Sequence, residues 1–156
     1  MRNKRLLIGW ISLLFWIGLI FYMSNQPGDV SSKQSGLVLK LFQIMGIDLN
    51  KELGELATFI VRKAAHFTEY FILYLLAINV IKYYFDIKRA ILYAFIFSIF
   101  YACTDEIHQY FIPGRAMAFK DVLIDSSGAL LAMIIKNINI KMNINKKSEN
   151  KLNITK

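Results

Sequence analysis

The chain of 156 residues is long enough for one domain, and its composition excludes an ordinary soluble one. Hydrophobic residues make up 56% of it and charged residues 19%, below the roughly one quarter that is usual in soluble domains. The net charge of +8 lies mainly at the two termini and in one short loop without interleaved aromatic residues, a distribution that argues against nucleic-acid binding. The single cysteine, Cys103, excludes an intrachain disulfide. A membrane protein is the class that remains.

The first apolar segment runs from Leu6 to Met23 and contains 18 residues without a charge, enough to cross a bilayer. It follows the basic stretch MRNKR, which resembles the start of a secretory signal. However, the segment is long for a signal peptide, and the following SNQPGD has no small-x-small cleavage site. We therefore predict an uncleaved membrane anchor.

The stretch between the first and second spans contains two weaker patterns. Apolar residues recur at helical spacing in VSSKQSGLVLKLFQIMGI, which predicts a short amphipathic helix in the membrane interface. The following DLNKELGELATFIV predicts a helix that begins near Asp48 or Asn50 and continues into the second span.

Three further apolar runs lie at His66–Ile81, Ala90–Thr104 and Asp121–Ile135. Each is too short to span alone but reaches the required length when its polar flank enters the interface. The sequence therefore predicts an all-α fold, a bundle of four transmembrane helices with one interfacial helix. We place this membrane domain at residues 1–136. We expect the Lys/Asn-rich residues 137–156 to be a disordered cytoplasmic tail.

Lysine and arginine predict the orientation of the four spans. The N-terminus, the loop KYYFDIKR and the tail together hold 12 basic residues against two acidic ones, and the opposite side holds 7 against nine. Because basic loops stay in the cytoplasm, both termini are predicted to be cytoplasmic in a multi-pass cell-membrane protein. The polar ends of spans two, three and four then lie together on the outer face, beside the SNQ that follows span one.

Helical spacing predicts which polar side chains share a face. Arg62, His66 and Glu69 follow one another at steps of four and three, and Asp105 and His108 are three residues apart. Asp121 and Asp125 are separated by four. Since unpaired charges are costly within a bilayer, these faces are expected to turn inward.

The same segments resemble a known family. SNQ, KAAHFTEY, YACTDEIHQYFIPGR and DVLIDSSGALLA are similar, in this order, to the signature segments of VanZ-like membrane proteins, from Ser24 to about Ala132. That family is named for an accessory protein that confers low-level teicoplanin resistance. Ala132 departs from the pattern, because a second glycine is common there. The resemblance points to twelve residues: Ser24, Gln26, Lys63, His66, Glu69, Tyr70, Asp105, Glu106, Gln109, Arg115, Asp121 and Gly128.

Four interpretations of the polar set remain open. The first is a structural network in which Arg62, Lys63 and Arg115 neutralise carboxylates. The second is a site for an envelope phospholipid, a lipid-linked cell-wall precursor or a glycopeptide, with Arg115 and Lys63 on its anion. The residues assigned to that site are Ser24, Gln26, Arg62, Lys63, His66, Glu69, Asp105, Glu106, Gln109, Arg115, Asp121 and Asp125.

The third interpretation is a membrane enzyme, with His66 or His108 as general base and Glu69 or Asp105 as the group that orients it. Ser24 is then a candidate nucleophile, although a loop-capping serine is the simpler interpretation. The fourth is a metal site of the carboxylate–histidine type. Because three cations nearby can pair with the same carboxylates, we expect neither a metal nor another cofactor.

Overall fold

The computed structural model describes residues 2–54 and 56–154. Within these ranges the chain forms helices and turns and no strand, so the all-α prediction is confirmed. The helices are α1 (Arg2–Ser24), α2 (Gly28–Ile44), α3 (Leu49–Leu53), α4 (Leu56–Ile81), α5 (Ile87–Gln109) and α6 (Phe119–Ile154).

Four of these helices are long and apolar enough to cross a membrane: α1, α4, α5 and the part of α6 that ends at Asn143. Their outer surfaces carry large apolar side chains, such as Phe15 on α1 and Phe100 on α5, which are 69% and 68% exposed. A soluble monomer rarely exposes so much apolar surface, whereas lipid covers it without cost. The predicted four-span bundle is confirmed, and its orientation in the membrane stays a prediction.

Helix α2 corresponds to the predicted amphipathic helix and packs against α4. Its face toward the bundle contains Ser31, Ser35 and Leu39, which are buried. The opposite apolar face, which includes Leu37 and Leu41, is about 60% exposed. An apolar outer face of this kind suits the hydrophobic side of a membrane interface.

The helix after Asp48 differs from the prediction. The Asp48 carboxylate accepts a hydrogen bond from the main-chain N–H of Lys51 (3.1 Å), which identifies Asp48 as the cap. However, α3 ends at Leu53 and does not continue into the second span. Gly54 follows with φ 54°, a left-handed conformation that terminates helices and that glycine adopts without strain.

Helix α6 also extends further than the sequence predicts. It continues through Ile154, over most of the segment expected to be disordered. A helix already nucleated by the fourth span can propagate into a polar sequence, since each added residue contributes one more main-chain hydrogen bond. Residues 155 and 156 lie outside the described ranges, and the domain boundary at 136 stays a prediction.

Helix α4 is the centre of the bundle and contacts all five other helices. Small residues let its neighbours approach closely. On α5 the fully buried positions recur every four residues, at Ala90, Ala94, Ser98 and Ala102. On α6, Gly128 lies against the main chain of α4, where an added Cβ would come within 2.1 Å of the Phe67 carbonyl oxygen. Close packing through small side chains is the usual way in which membrane helices associate.

Candidate functional site

The polar residues of the four spans meet at the end of the bundle where α1 and α5 end and α6 begins. The small-residue face of α5 continues directly into Asp105, Glu106 and Gln109, all of them buried. On α6, Asp125 lies one turn before Gly128, and on α4, His66 precedes Phe67, whose main chain Gly128 contacts. The contacts that bring the helices together therefore also bring these side chains together.

Arg115 joins three segments of the chain. Its Nε donates to the main-chain carbonyl of Gln26 (3.1 Å), and its Nη2 donates to that of Met23 (3.1 Å). Its Nη1 donates to the side-chain oxygen of Gln109 (3.0 Å). A cation at the carboxyl end of α1 satisfies carbonyls that the helix leaves free. Burial and the nearby Arg62 lower the pKa of the Arg115 guanidinium, which still stays protonated.

Two further contacts fix the end of α5. The Gln109 amide donates to the Asp105 carboxylate (3.0 Å), which extends the line of hydrogen bonds from Arg115 into the bundle. Glu106 accepts from the main-chain N–H of Ala118 (2.8 Å), immediately before α6. An anion at the amino end of a helix is favourable, because free N–H groups and the helix dipole point at it.

Lys63 pairs with Asp121, and both side chains are largely shielded from solvent. In the described residues this is the only lysine– or arginine–carboxylate pair of the polar layer. The predicted network, in which Arg62 and Arg115 also neutralise carboxylates, is therefore reduced to one pair. Arg115 contacts carbonyls and an amide instead.

The deepest part of the layer contains His66, Asp105 and Asp125, whose donor atoms all lie within 4.8 Å of one another. His66 Nδ1 is 3.4 Å from Asp125 Oδ1. The Asp125 side chain is 0% exposed, and neither oxygen accepts a hydrogen bond from the described residues. Sequence spacing assigned Glu69 or Asp105 as the carboxylate that orients His66, whereas the nearest is Asp125. We refer to these three residues as the buried triad.

Ser24 lies next to the triad without being activated by it. Its Oγ is buried and faces the Asp105 carboxylate, but it meets no described side chain with hydrogen-bond geometry. Gln26, predicted to bind a ligand, follows the end of α1, and its side-chain amide donates to the Tyr22 carbonyl in the last turn of that helix (3.1 Å). Ser24 therefore has no base in hydrogen-bond contact, and the Gln26 amide nitrogen is already engaged by the main chain.

Two cavities border the triad. The first, of about 110 Å³, lies between α1, α2 and α4, and the second, of about 300 Å³, lies between α4 and the α5–α6 loop. His66, Arg62 and Arg115 line both. Glu69 lines the first, which confirms that it shares a face with Arg62 and His66. Lys63 and Asp121 line the second.

His108 is a candidate base that the structure places elsewhere. Its ring stacks on Phe21 of α1, with ring centroids 4.8 Å apart and planes inclined by 30°. It lines neither cavity. The spacing that it shares with Asp105 therefore does not bring it into the buried triad.

The contribution of α2 to the site was not predicted from the sequence. Ser31, Gln34 and Ser35 line the first cavity, although the segment was interpreted only as an interfacial helix. The signal was present: a polar face of two serines four residues apart, opposite the apolar face of the same helix. The serine face resembled the water-facing side of an interfacial helix, because the helix that it packs against, α4, is distant in the sequence.

These features define a class: a small multi-pass membrane protein with a buried polar layer at one end of its helical bundle. A family model described as VanZ/LLP1 matches residues 9–139. The match covers most of the chain, which therefore belongs to the VanZ/LLP1 family, as the sequence motifs predicted. Comparison with curated protein sequences found no match, and comparison with solved structures found none.

Proposed function

We propose that the first cavity binds the polar head of an envelope lipid or a lipid-linked cell-wall precursor at the outer face of the membrane. The observation behind this proposal is the two-sided lining of the cavity. Ile20, Val38 and Val61 form an apolar side, and Val38 belongs to the exposed apolar face of α2. The other side is polar and ends at the buried triad. A lipid has the same two parts, a polar head and apolar acyl chains.

The size of the cavity favours a head group over a whole antibiotic. Its volume of about 110 Å³ lies below the roughly 300–1,000 Å³ of sites that bind drug-sized ligands. A phosphate with a small polar substituent fits this space, whereas a glycopeptide does not. An effect on teicoplanin susceptibility would then come from binding of an envelope lipid or precursor, which changes its availability, rather than from capture of the drug.

Arg62 is the cation best suited to the anionic part of this ligand. Among residues 2–54 and 56–154 it has no carboxylate within ion-pair distance and makes no side-chain hydrogen bond, and it lines both cavities. Lys63, assigned to the anion from the sequence, is engaged by Asp121. Three of the five N–H donors of Arg115 are engaged in the protein, so only two remain for a ligand.

The test compares lipids that copurify with the full-length protein. Mass spectrometry of the purified wild type should show one lipid class enriched over the bulk membrane. Arg62→Gln removes the cation and Ser31→Leu fills the cavity, so both should lose that enrichment. Ser32→Leu is the matched control, because Ser32 is the next residue of α2 and is exposed. A wild type without enrichment, or a Ser31→Leu variant that retains it, would contradict the proposal.

The alternative is an enzyme acting on the same lipid or precursor, and the position of His66 beside Asp125 is the observation that favours it. A carboxylate near one ring nitrogen fixes the orientation of the imidazole and leaves the other nitrogen for proton transfer. The two functions differ in what His66→Ala does at matched expression. An enzyme predicts that product species disappear from the extracted lipids. A binding protein predicts changed teicoplanin susceptibility with the same lipid species present.

A further inference from the structure

We propose that the buried triad, His66, Asp105 and Asp125, binds a divalent transition-metal ion. The first reason is that, among the described residues, no lysine or arginine pairs with the triad, Arg62 included. Lys63 pairs with Asp121, and Arg115 is directed to two main-chain carbonyls and Gln109. The expectation that basic side chains neutralise these carboxylates, which argued against a metal, therefore does not hold for Asp125.

The second reason is the state of Asp125. Its side chain is 0% exposed, its two oxygens accept no hydrogen bond from the described residues, and the basic group nearest to it is the His66 ring, at 3.4 Å. An uncompensated carboxylate in a bilayer protein is strongly unfavourable. His66 Nδ1 is also buried and without a hydrogen bond. A metal ion that accepts a lone pair from each of these two groups would satisfy both of them.

The third reason is the geometry of the donors. Two ligands that are each about 2.0–2.1 Å from a tetrahedral ion lie about 3.4 Å apart. The His66–Asp125 distance has this value, and the Asp105 donor lies within 4.8 Å of both. An inward movement of the Asp105 carboxylate, which accepts a hydrogen bond from the Gln109 amide, would complete three-coordinate binding.

The donor set indicates the kind of metal. One imidazole nitrogen with carboxylate oxygens suits zinc, manganese, iron or cobalt, and the absence of thiolate among the three donors argues against a soft ion. His66 and Asp105 line the first cavity, so a remaining coordination position would face it. Sites with three protein ligands and one open position are typical of metals that bind water or a ligand. Metal binding by the triad does not depend on the lipid proposal.

The test measures metal on the full-length protein, purified in detergent with a tag that contains no histidine. After metal removal, Co²⁺ alone should bind at one ion per chain and give visible absorption bands that Zn²⁺ displaces. Asp125→Asn keeps the shape of the side chain and should weaken Co²⁺ binding by at least about 100-fold, more than the loss of an outer partner costs. Asp29→Asn is the matched control, the same change at an exposed carboxylate of α2 that lines neither cavity, and should bind as the wild type does.

A second measurement uses the wild type only, so it remains informative if the variants do not fold. X-ray absorption of the zinc-loaded protein should show nitrogen and oxygen donors at about 2.0–2.1 Å, with one imidazole and no sulfur. Less than one ion per chain in the wild type would overturn the proposal. So would a sulfur donor, or an Asp125→Asn variant of unchanged affinity.

Discussion

The contact between Gly128 and α4 gives the sharpest prediction about the fold. The Cβ of Gly128→Ala would lie 2.1 Å from the Phe67 carbonyl oxygen, a distance that real Cβ contacts do not show. The obstacle is the main chain of α4 rather than a flexible side chain. Relief therefore requires a shift of one helix against the other by roughly 1 Å.

The size of the effect follows from that shift. A gap of about 1 Å forfeits a quarter to a half of the dispersion energy of each contact across it. Overpacking of a close contact costs about 1–3 kcal/mol, and the rigid obstacle here places the variant at the upper end. For a chain of this size we expect the melting temperature to fall by about 5–10 °C. The shift should also separate Asp125 from His66, because they lie within one turn of Gly128 and Phe67.

The assay is thermal unfolding of the purified protein. The quantity measured is the fraction of the protein that remains monodisperse after heating. Gly18→Ala is the matched control, since Gly18 lies in span α1 and an added Cβ would meet nothing within 4 Å. It should leave the melting temperature unchanged or raise it slightly, because alanine has the higher helix propensity. If Gly128→Ala were as stable as Gly18→Ala, the close approach of α4 and α6 would be wrong.

Three further predictions concern the polar layer and the orientation of the chain. Arg115→Lys should destabilise the protein by about 2 kcal/mol or more in the same assay. A lysine ammonium cannot donate to all three acceptors of the guanidinium, so carbonyls would be left unsatisfied. Wild-type stability of this variant would contradict the role of Arg115. Asp121→Asn alone should be less stable than the double variant with Lys63→Met, since a single change leaves a shielded charge unpaired; a double variant that is the less stable one would contradict this. A cysteine introduced at Lys33 should react with an impermeant reagent from outside intact cells, and a tag on the C-terminal tail should not. Labelling of the tail instead would reverse the orientation and place the polar layer in the cytoplasm.

Much of the site was predictable because helical spacing is a local property. The shared face of Arg62, His66 and Glu69 follows from steps of four and three residues, and all three line the first cavity. The difference between Asp121 and Asp125 was not predictable. Their spacing gives them the same face of α6, yet Asp121 pairs with a lysine and Asp125 is fully buried without one. The depth of each residue in the bundle makes that difference.

The positions of the cations were unpredictable for a related reason. The sequence places basic and acidic residues in one layer, and their charges alone predict that they pair with one another. In the structure Arg115 instead contacts the carbonyls at the end of α1, about ninety residues earlier in the chain. Every helix end exposes such carbonyls, but only tertiary structure shows which cation reaches them.

The sequence by itself determined the membrane class, the four spans, the amphipathic helix and the residues that carry polar chemistry. Each of these depends on hydropathy, helical period or charge over a few neighbouring residues. Tertiary structure decided which carboxylate pairs with a basic side chain and which cavity α2 closes. It also decided which three donor side chains meet in the buried triad. Those outcomes depend on distances between residues far apart in the chain, and Gly128 and the alanines of α5 set these distances by letting the helices touch.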